Sequence, residues 1–135
     1  MRNDIVNIIK KLNTIFNDEL ISTDIDEYVN KIIKNASIIT LYENEMMCGF
    51  IAFYNNDVAN KNAFITMIAI NPLCQGKGFG EMLLKFSIDK LKLSNYKQYS
   101  LEVLKSNEKA ISLYKKNGFN IFQETDTHYK MILDL

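Results

Sequence analysis

Three features of this chain have residue types and spacing suited to chemistry. They are a cluster of glycines after an apolar strand, a tyrosine on a helix, and a glutamate on a strand before that helix. The segment Ile68-Ala69-Ile70-Asn71-Pro72-Leu73-Cys74-Gln75-Gly76-Lys77-Gly78-Phe79-Gly80 reads as a buried strand, a glycine-rich turn and a helix start. Glycines let backbone N–H groups converge on an anion with no Cβ in the way. A helix N-terminus adds about half a positive charge. Together they predict a pyrophosphate cradle built from the amides around 75–81. The phosphate loop of nucleotide hydrolases needs GxxxxGK followed by Ser or Thr, which is absent. The dinucleotide fingerprint GxGxxG is also missed, because Gly76, Gly78 and Gly80 are wrongly spaced and Glu81 stands in the place of its third glycine. Gln75-x-x-Gly78-x-Gly80 is the pattern that remains.

That pattern, Gln or Arg-x-x-Gly-x-Gly or Ala after an apolar strand, resembles the coenzyme A-binding signature of the GNAT family of N-acetyltransferases. A second stretch is similar to the family's other signature: the strand Leu101-Glu102-Val103-Leu104, then Asn107-x-x-Ala110-x-x-Leu113-Tyr114-x-x-x-Gly118-Phe119. The resemblance covers roughly residues 20–135, and its nearest branch looks like the one that acetylates the α-amine of a ribosomal protein. It implies an acetyl-CoA-dependent N-acetyltransferase with no metal. The acetyl group would pass directly to a primary amine of a small molecule, an amino sugar or a protein N-terminus. Ile68, Ala69 and Ile70 would offer backbone to the thioester, and Gln75, Gly76, Lys77, Gly78, Phe79, Gly80 and Glu81 would hold the diphosphate. Asn107 would touch the pantetheine arm or its neighbouring backbone, and Tyr114 would sit beside the thioester sulfur. The implied fold is α+β: a twisted, mostly antiparallel sheet of about six strands with a splayed parallel central pair, flanked by about four helices.

Tyr114 has a physical case of its own. Ala110 and Tyr114 lie one turn apart on one helix face. A phenol with an unperturbed pKa near ~10 is protonated at neutral pH, so it can give a proton to a departing thiolate. The alternative is a core tyrosine packing its ring. Glu102 alternates with Leu101 and Val103, so its side chain faces away from theirs. It is the first candidate for the base that deprotonates the amine, and the pair matches the Glu and Tyr spacing of the ribosomal-protein branch. A water chain or a merely solvated glutamate are the other readings.

The remaining residues bound the answer. The chain has 135 residues and a formal net charge of +0, which allows a single domain over 1–135 and gives no nucleic-acid footprint. Two cysteines, Cys48 and Cys74, belong to no CxxC pair or Cys/His cluster, which speaks against zinc. They are expected as free thiols, with Cys74 as loop packing, in a cytoplasmic protein without a membrane span. The lone His128 is expected to be a surface or hydrogen-bonded residue. The acidic 18–27 stretch is either a solvated face or an attractor for a cationic amine. A non-catalytic coenzyme A sensor and an unrelated nucleotide-phosphate-binding domain are the competing functions. A monomer or homodimer is expected.

The elements that must position these groups follow from periodicity. Residues 4–17 repeat Ile5, Ile8, Ile9, Leu12 and Phe16 at helical spacing. Ser22 and Thr23 are expected N-caps for a helix over 24–35. Strands are expected at 37–43, 47–54 and 63–70, with a hairpin turn at 43–45 and a polar loop at 55–62. A helix over 80–93 carries Met82, Leu83 and Phe86 on one stripe and Leu84, Ile88 and Leu91 on another, which predicts burial on two sides. A strand at 99–104, a helix at 107–117 capped by Gly118, and strands at 119–122 and 128–133 complete the pattern. No strand is found before the first helix, so the sheet is expected to start at 37–43 with an open or partner-covered edge.

Overall fold

The computed structural model describes residues 1–15, 21 and 24–135. The elements run α1 (Arg2–Ile15), α2 (Ile25–Asn35), β1 (Ser37–Glu43), β2 (Met46–Asp57), β3 (Asn62–Ile70), a 3₁₀ turn (Pro72–Cys74), α3 (Phe79–Leu93), β4 (Gln98–Leu104), α4 (Glu108–Lys116), β5 (Asn120–Glu124) and β6 (His128–Asp134). They build one six-stranded sheet in the order β1-β2-β3-β4-β6-β5. Every pairing is antiparallel except β3 with β4. β1 is an edge strand of this sheet, as expected.

Alternation along the strands divides the core in two. Phe50, Ala52, Met67 and Ala69 pack with Ile5, Ile9, Val29 and Ile32 of α1 and α2. Ile51, Phe53, Ala63, Ile65, Leu101 and Val103 face the other way, against α3 and α4. The two faces meet an irregularity in β3. Ala52 pairs with Met67 but Phe53 pairs with Ile65, which leaves Thr66 as an extra residue. Such a bulge bends its strand and raises the local twist. The parallel pairing of β3 with β4 runs from Asn62↔Gln98 to Ile65↔Leu101 and ends there, one residue before the bulge. β4 continues alone with β6 as far as Leu104↔His128. The two central strands therefore part between Thr66 and Glu102, and the gap opens toward the glycine segment.

Several expectations need correction. The N-cap of α2 is Asp24, whose side chain accepts from the Glu27 amide. Ser22, Thr23, Phe16 and the 18–20 part of the acidic stretch lie outside the described residues. β2 runs on to Asp57 through the expected loop, because Asp57 pairs with Asn62, Ser37 donates to the Asn55 side chain and Asn56 donates to the Asn35 carbonyl. The helix over 79–93 is buried on one side only: Met82 and Phe86 are 42% and 52% exposed. Its buried stripe instead includes Ser87, which donates to the Leu84 carbonyl and accepts from the Tyr99 hydroxyl at 2.9 Å. Finally, Cys48 and Cys74 are not free. They are joined as a disulfide with a Cα–Cα distance of 5.5 Å.

Candidate functional site

The glycine segment is anchored at its start and open afterwards. Asn71 is buried, and every polar group it has is used. Its amide donates to the Cys48 carbonyl at 2.7 Å and its Nδ2 to the Met47 carbonyl. Its Oδ1 accepts from the Leu73 amide and its carbonyl from the Cys74 amide. Pro72 then starts the 3₁₀ turn with a ring already at helical φ, and the disulfide fixes Cys74 to β2. Asn71 was not among the expected site residues, although the Asn71-Pro72 dipeptide, a turn initiator, is a local signal for it.

From Gly78 to Glu81 the amides behave differently. None of these four donates to an acceptor among the described residues, whereas the Met82 amide returns to the Gly78 carbonyl. Gly78 is the N-cap of α3 at φ 78, with no side-chain cap, and Gly76 has φ 82. A side chain at either position would be strained by the backbone, not by crowding, since nothing lies within 4 Å of an added Cβ. Positive-φ glycines and an uncapped helix start leave free amides facing open space, the donor arrangement expected for an anion cradle.

That space is a cavity of about 470 Å³ between α3 and α4. Of the expected binding residues, Ile68, Ile70, Gln75, Gly76, Gly78, Phe79, Gly80, Glu81 and Asn107 line it. Ala69 does not, because its side chain belongs to the α1–α2 core. Lys77 does not either: its ammonium pairs with Glu43 at 2.8 Å, outside the cradle. Cys74 does line the cavity, as do Lys109 and Lys116, whose contribution was not read from the sequence.

Tyr114 lines the same cavity from α4, and the way α4 ends explains why. The Phe119 amide bonds the Tyr114 carbonyl at 3.0 Å and the Gly118 amide bonds the Lys115 carbonyl at 3.1 Å. With Gly118 at φ 97, this is a Schellman motif, which brings the residue after the glycine back over the last turn. The residues so apposed are Phe119 and Tyr114, with ring centroids 5.7 Å apart. At the other end, Asn107 caps α4 by accepting from the Ala110 amide. Tyr114 is thus held by a cap on each side and is 7% exposed. Burial pushes its phenol well above the ordinary tyrosine range. Its hydroxyl is bonded to no described residue, in contrast to Tyr28, Tyr96 and Tyr99, which bond Thr66, the Asn55 carbonyl and Ser87.

Glu102 does not share this cavity. It is the first β4 residue past the last pair with β3, it is exposed, and it faces away from Leu101 and Val103 as expected. Its Oε1 lies 3.6 Å from the Lys130 ammonium on β6. His128 bonds Thr127 through Nδ1 at 2.7 Å, at the far end of β4. Among the described residues no group of three or more His, Cys, Asp or Glu is placed to hold a metal ion, and no helix is long and apolar enough to cross a membrane.

The chain matches the acetyltransferase (GNAT) family over residues 5–119. It is 31% identical over 103 residues to the acetyltransferase PseH of Campylobacter jejuni, a match covering 73% of this chain and 60% of that protein. It is 41% identical over 69 residues to the ribosomal protein bS18-alanine N-acetyltransferase of Salmonella typhimurium, covering 51% of this chain and 47% of that one. The matches thus span about half to three fifths of these relatives' own lengths. The crystal structure of the Escherichia coli ribosomal-protein-S18-alanine N-acetyltransferase superposes with a TM-score of 0.74 at 25% identity, covering 86% of this chain and 79% of that one. The PaiA N-acetyltransferase of Thermoplasma acidophilum, in complex with coenzyme A, shares the fold with a TM-score of 0.82 at 15% identity, over 99% of this chain and 92% of that one.

Proposed function

The chain belongs to the acetyltransferase (GNAT) family, and on that premise we propose that it binds acetyl-coenzyme A and transfers the acetyl group directly to a primary amine. One observation carries this reading: the free amides of Gly78 to Glu81 and the unbonded hydroxyl of Tyr114 border the same cavity. The cradle takes the diphosphate, the pantetheine arm runs along Ile68 and Ile70 in the gap between β3 and β4, and the thioester lies near Tyr114. Backbone N–H at the end of β3 polarises the thioester carbonyl and holds the developing oxyanion.

The amine nitrogen attacks the carbonyl carbon, the C–S bond breaks, and the sulfur takes the Tyr114 proton. Glu102 lies past the point where the strands part, on the opposite sheet face from Tyr114. An amine entering from that face meets the carboxylate first, so Glu102, directly or through water, takes the ammonium proton. The acceptor class is a small amine, an amino sugar or a protein N-terminus. The coenzyme requirement supports a cytoplasmic setting. The test is thiol release from acetyl-CoA against an amine panel, alongside calorimetric titration with coenzyme A. Release with at least one amine is the expected result. Tight coenzyme binding without release from any amine would instead support a coenzyme sensor, and no binding would end the reading.

A further inference from the structure

The cradle has an acidic neighbour that its ligand chemistry does not need. Glu81 sits in the first turn of α3 and lines the cavity, where a diphosphate would add like charge. Its carboxylate is already engaged by the end of α4. Lys116 Nζ lies 3.1 Å from Oε2, and Asn117 Nδ2 donates to the same oxygen at 3.3 Å while also donating to the Leu113 carbonyl at 2.9 Å. Lys85 approaches from the next turn of α3 at 3.5 Å. These bonds from Lys116 and Asn117 hold the Glu81 carboxyl below its ordinary range. The group therefore bridges α3 to α4 across the edge of the cavity. The partners are unequal: the Lys116 side chain is 70% exposed and that of Glu81 is 24% exposed. Lys116 can swing away at little cost, because exposed ion pairs contribute little. Glu81 keeps Asn117 and Lys85 when it does.

We propose that Glu81 parks Lys116, and that coenzyme binding transfers Lys116 from the carboxylate to a phosphate oxygen of the coenzyme. The inference rests on the acetyltransferase reading and concerns how that site sets its affinity. Coenzyme A carries a diphosphate and a phosphate monoester, and both attract an ammonium more strongly than one carboxylate does. Glu81 then acts as an internal competitor, so the free coenzyme product is held less tightly than the cradle alone would hold it.

The test is a double-mutant cycle read by calorimetric titration of the full chain with coenzyme A. Glu81→Gln is expected to tighten binding roughly threefold to tenfold, the range that one removed charge at this distance supports. Lys116→Gln is expected to weaken binding, and to weaken it more in the Glu81→Gln background than in wild type, because the lysine is no longer parked there. Lys116→Arg should restore affinity. If Lys116→Gln costs no more in the Glu81→Gln background, or if Glu81→Gln weakens binding, Lys116 is only a strut between helices and the proposal fails while the acetyltransferase reading stands. If the wild-type chain does not bind coenzyme A, both fail together. Dephospho-coenzyme A reports which phosphate receives the lysine. An unchanged Lys116→Gln loss assigns the diphosphate, and a vanished loss assigns the monoester.

Discussion

In the proposed reaction Tyr114 is the residue on which catalysis most directly depends. Replacing it by Phe keeps the ring on Phe119 and removes only the proton donor. Thiol release should fall by about 10²–10⁴, while calorimetric coenzyme affinity stays unchanged. Wild-type turnover in the variant would remove the general-acid role. The burial that raises its phenol pKa also fixes the sign of a pH effect. The acid form is the working form, so a raised value keeps it protonated and moves any alkaline loss of activity due to Tyr114 above the ordinary ~10. Stability follows the same sign. Tyr28 is raised to about 12 by burial, and Tyr99 is raised further. A folded pKa above the unfolded one means the folded state binds more protons, so stability is whole below pH ~10 and declines above it. Denaturant melts from pH 8 upward should show this decline beginning near ~10, and a flat profile would contradict it. At this scale the sequence was informative about the groups and silent about their partners. Glu102 faces away from Leu101 because a strand alternates. Its pairing with Lys130 depends on the β4–β6 register, which no local pattern encodes.

Elements, not single side chains, place Tyr114 and the cradle. Gly118→Ala puts a Cβ at φ 97 and 3.1 Å from Leu133 Cδ1, so it should cost about 1–2 kcal/mol from backbone strain alone. Asn107→Ala removes the opposite cap of α4 and should cost about 1 kcal/mol. The sites are at opposite ends of one helix that holds Tyr114. Gly118 lies outside the cavity lining, so Gly118→Ala should lower kcat more than coenzyme affinity, whereas Asn107 lines the cavity and Asn107→Ala should lower both. Thermal melts and kinetics together check this, and a variant that melts lower at unchanged kcat would disconnect the caps from the catalytic position. Asn107 was read as the first residue of the helix and not as its cap, but the Gly118 cap, a glycine after an apolar run, was legible. The exposed side of α3 was not. Counting apolar residues gave Met82 and Phe86 a buried stripe, and the stripe that is buried contains Ser87. A serine reads as polar until Tyr99 is seen to share its hydrogen bond. The bulge at Thr66 was equally invisible, since an extra residue in a strand leaves no mark on its alternation until the partner register is known. Its hydroxyl bonds Tyr28 at 2.7 Å, so α2 is tied to the point where the central strands part.

At the scale of the whole chain, the splayed central pair was implied by the family resemblance that two short strand-to-helix signatures carry, whereas the strand order was not read from the sequence. The disulfide does not follow from either. Cys48 and Cys74 are separated by 26 positions and meet only because β2 pairs with β3 and the 3₁₀ turn folds back over β2. Closing a loop of that length in the unfolded chain stabilises the fold by about 3–4 kcal/mol in the chain-entropy account. Reduction should therefore lower the melting temperature by roughly 10 °C or more. Alkylation followed by mass measurement should find no free thiol before reduction. Coenzyme affinity should respond far less. Asn71 bonds the Cys48 and Met47 carbonyls without any help from sulfur, so the start of the cradle stays on β2 when the covalent link is gone. Scanning calorimetry and coenzyme titration, each with and without reductant, separate the two effects. A large loss of affinity on reduction would mean that the disulfide, and not Asn71, holds the cradle in place. Two alkylated cysteines in the untreated protein would restore the free-thiol expectation.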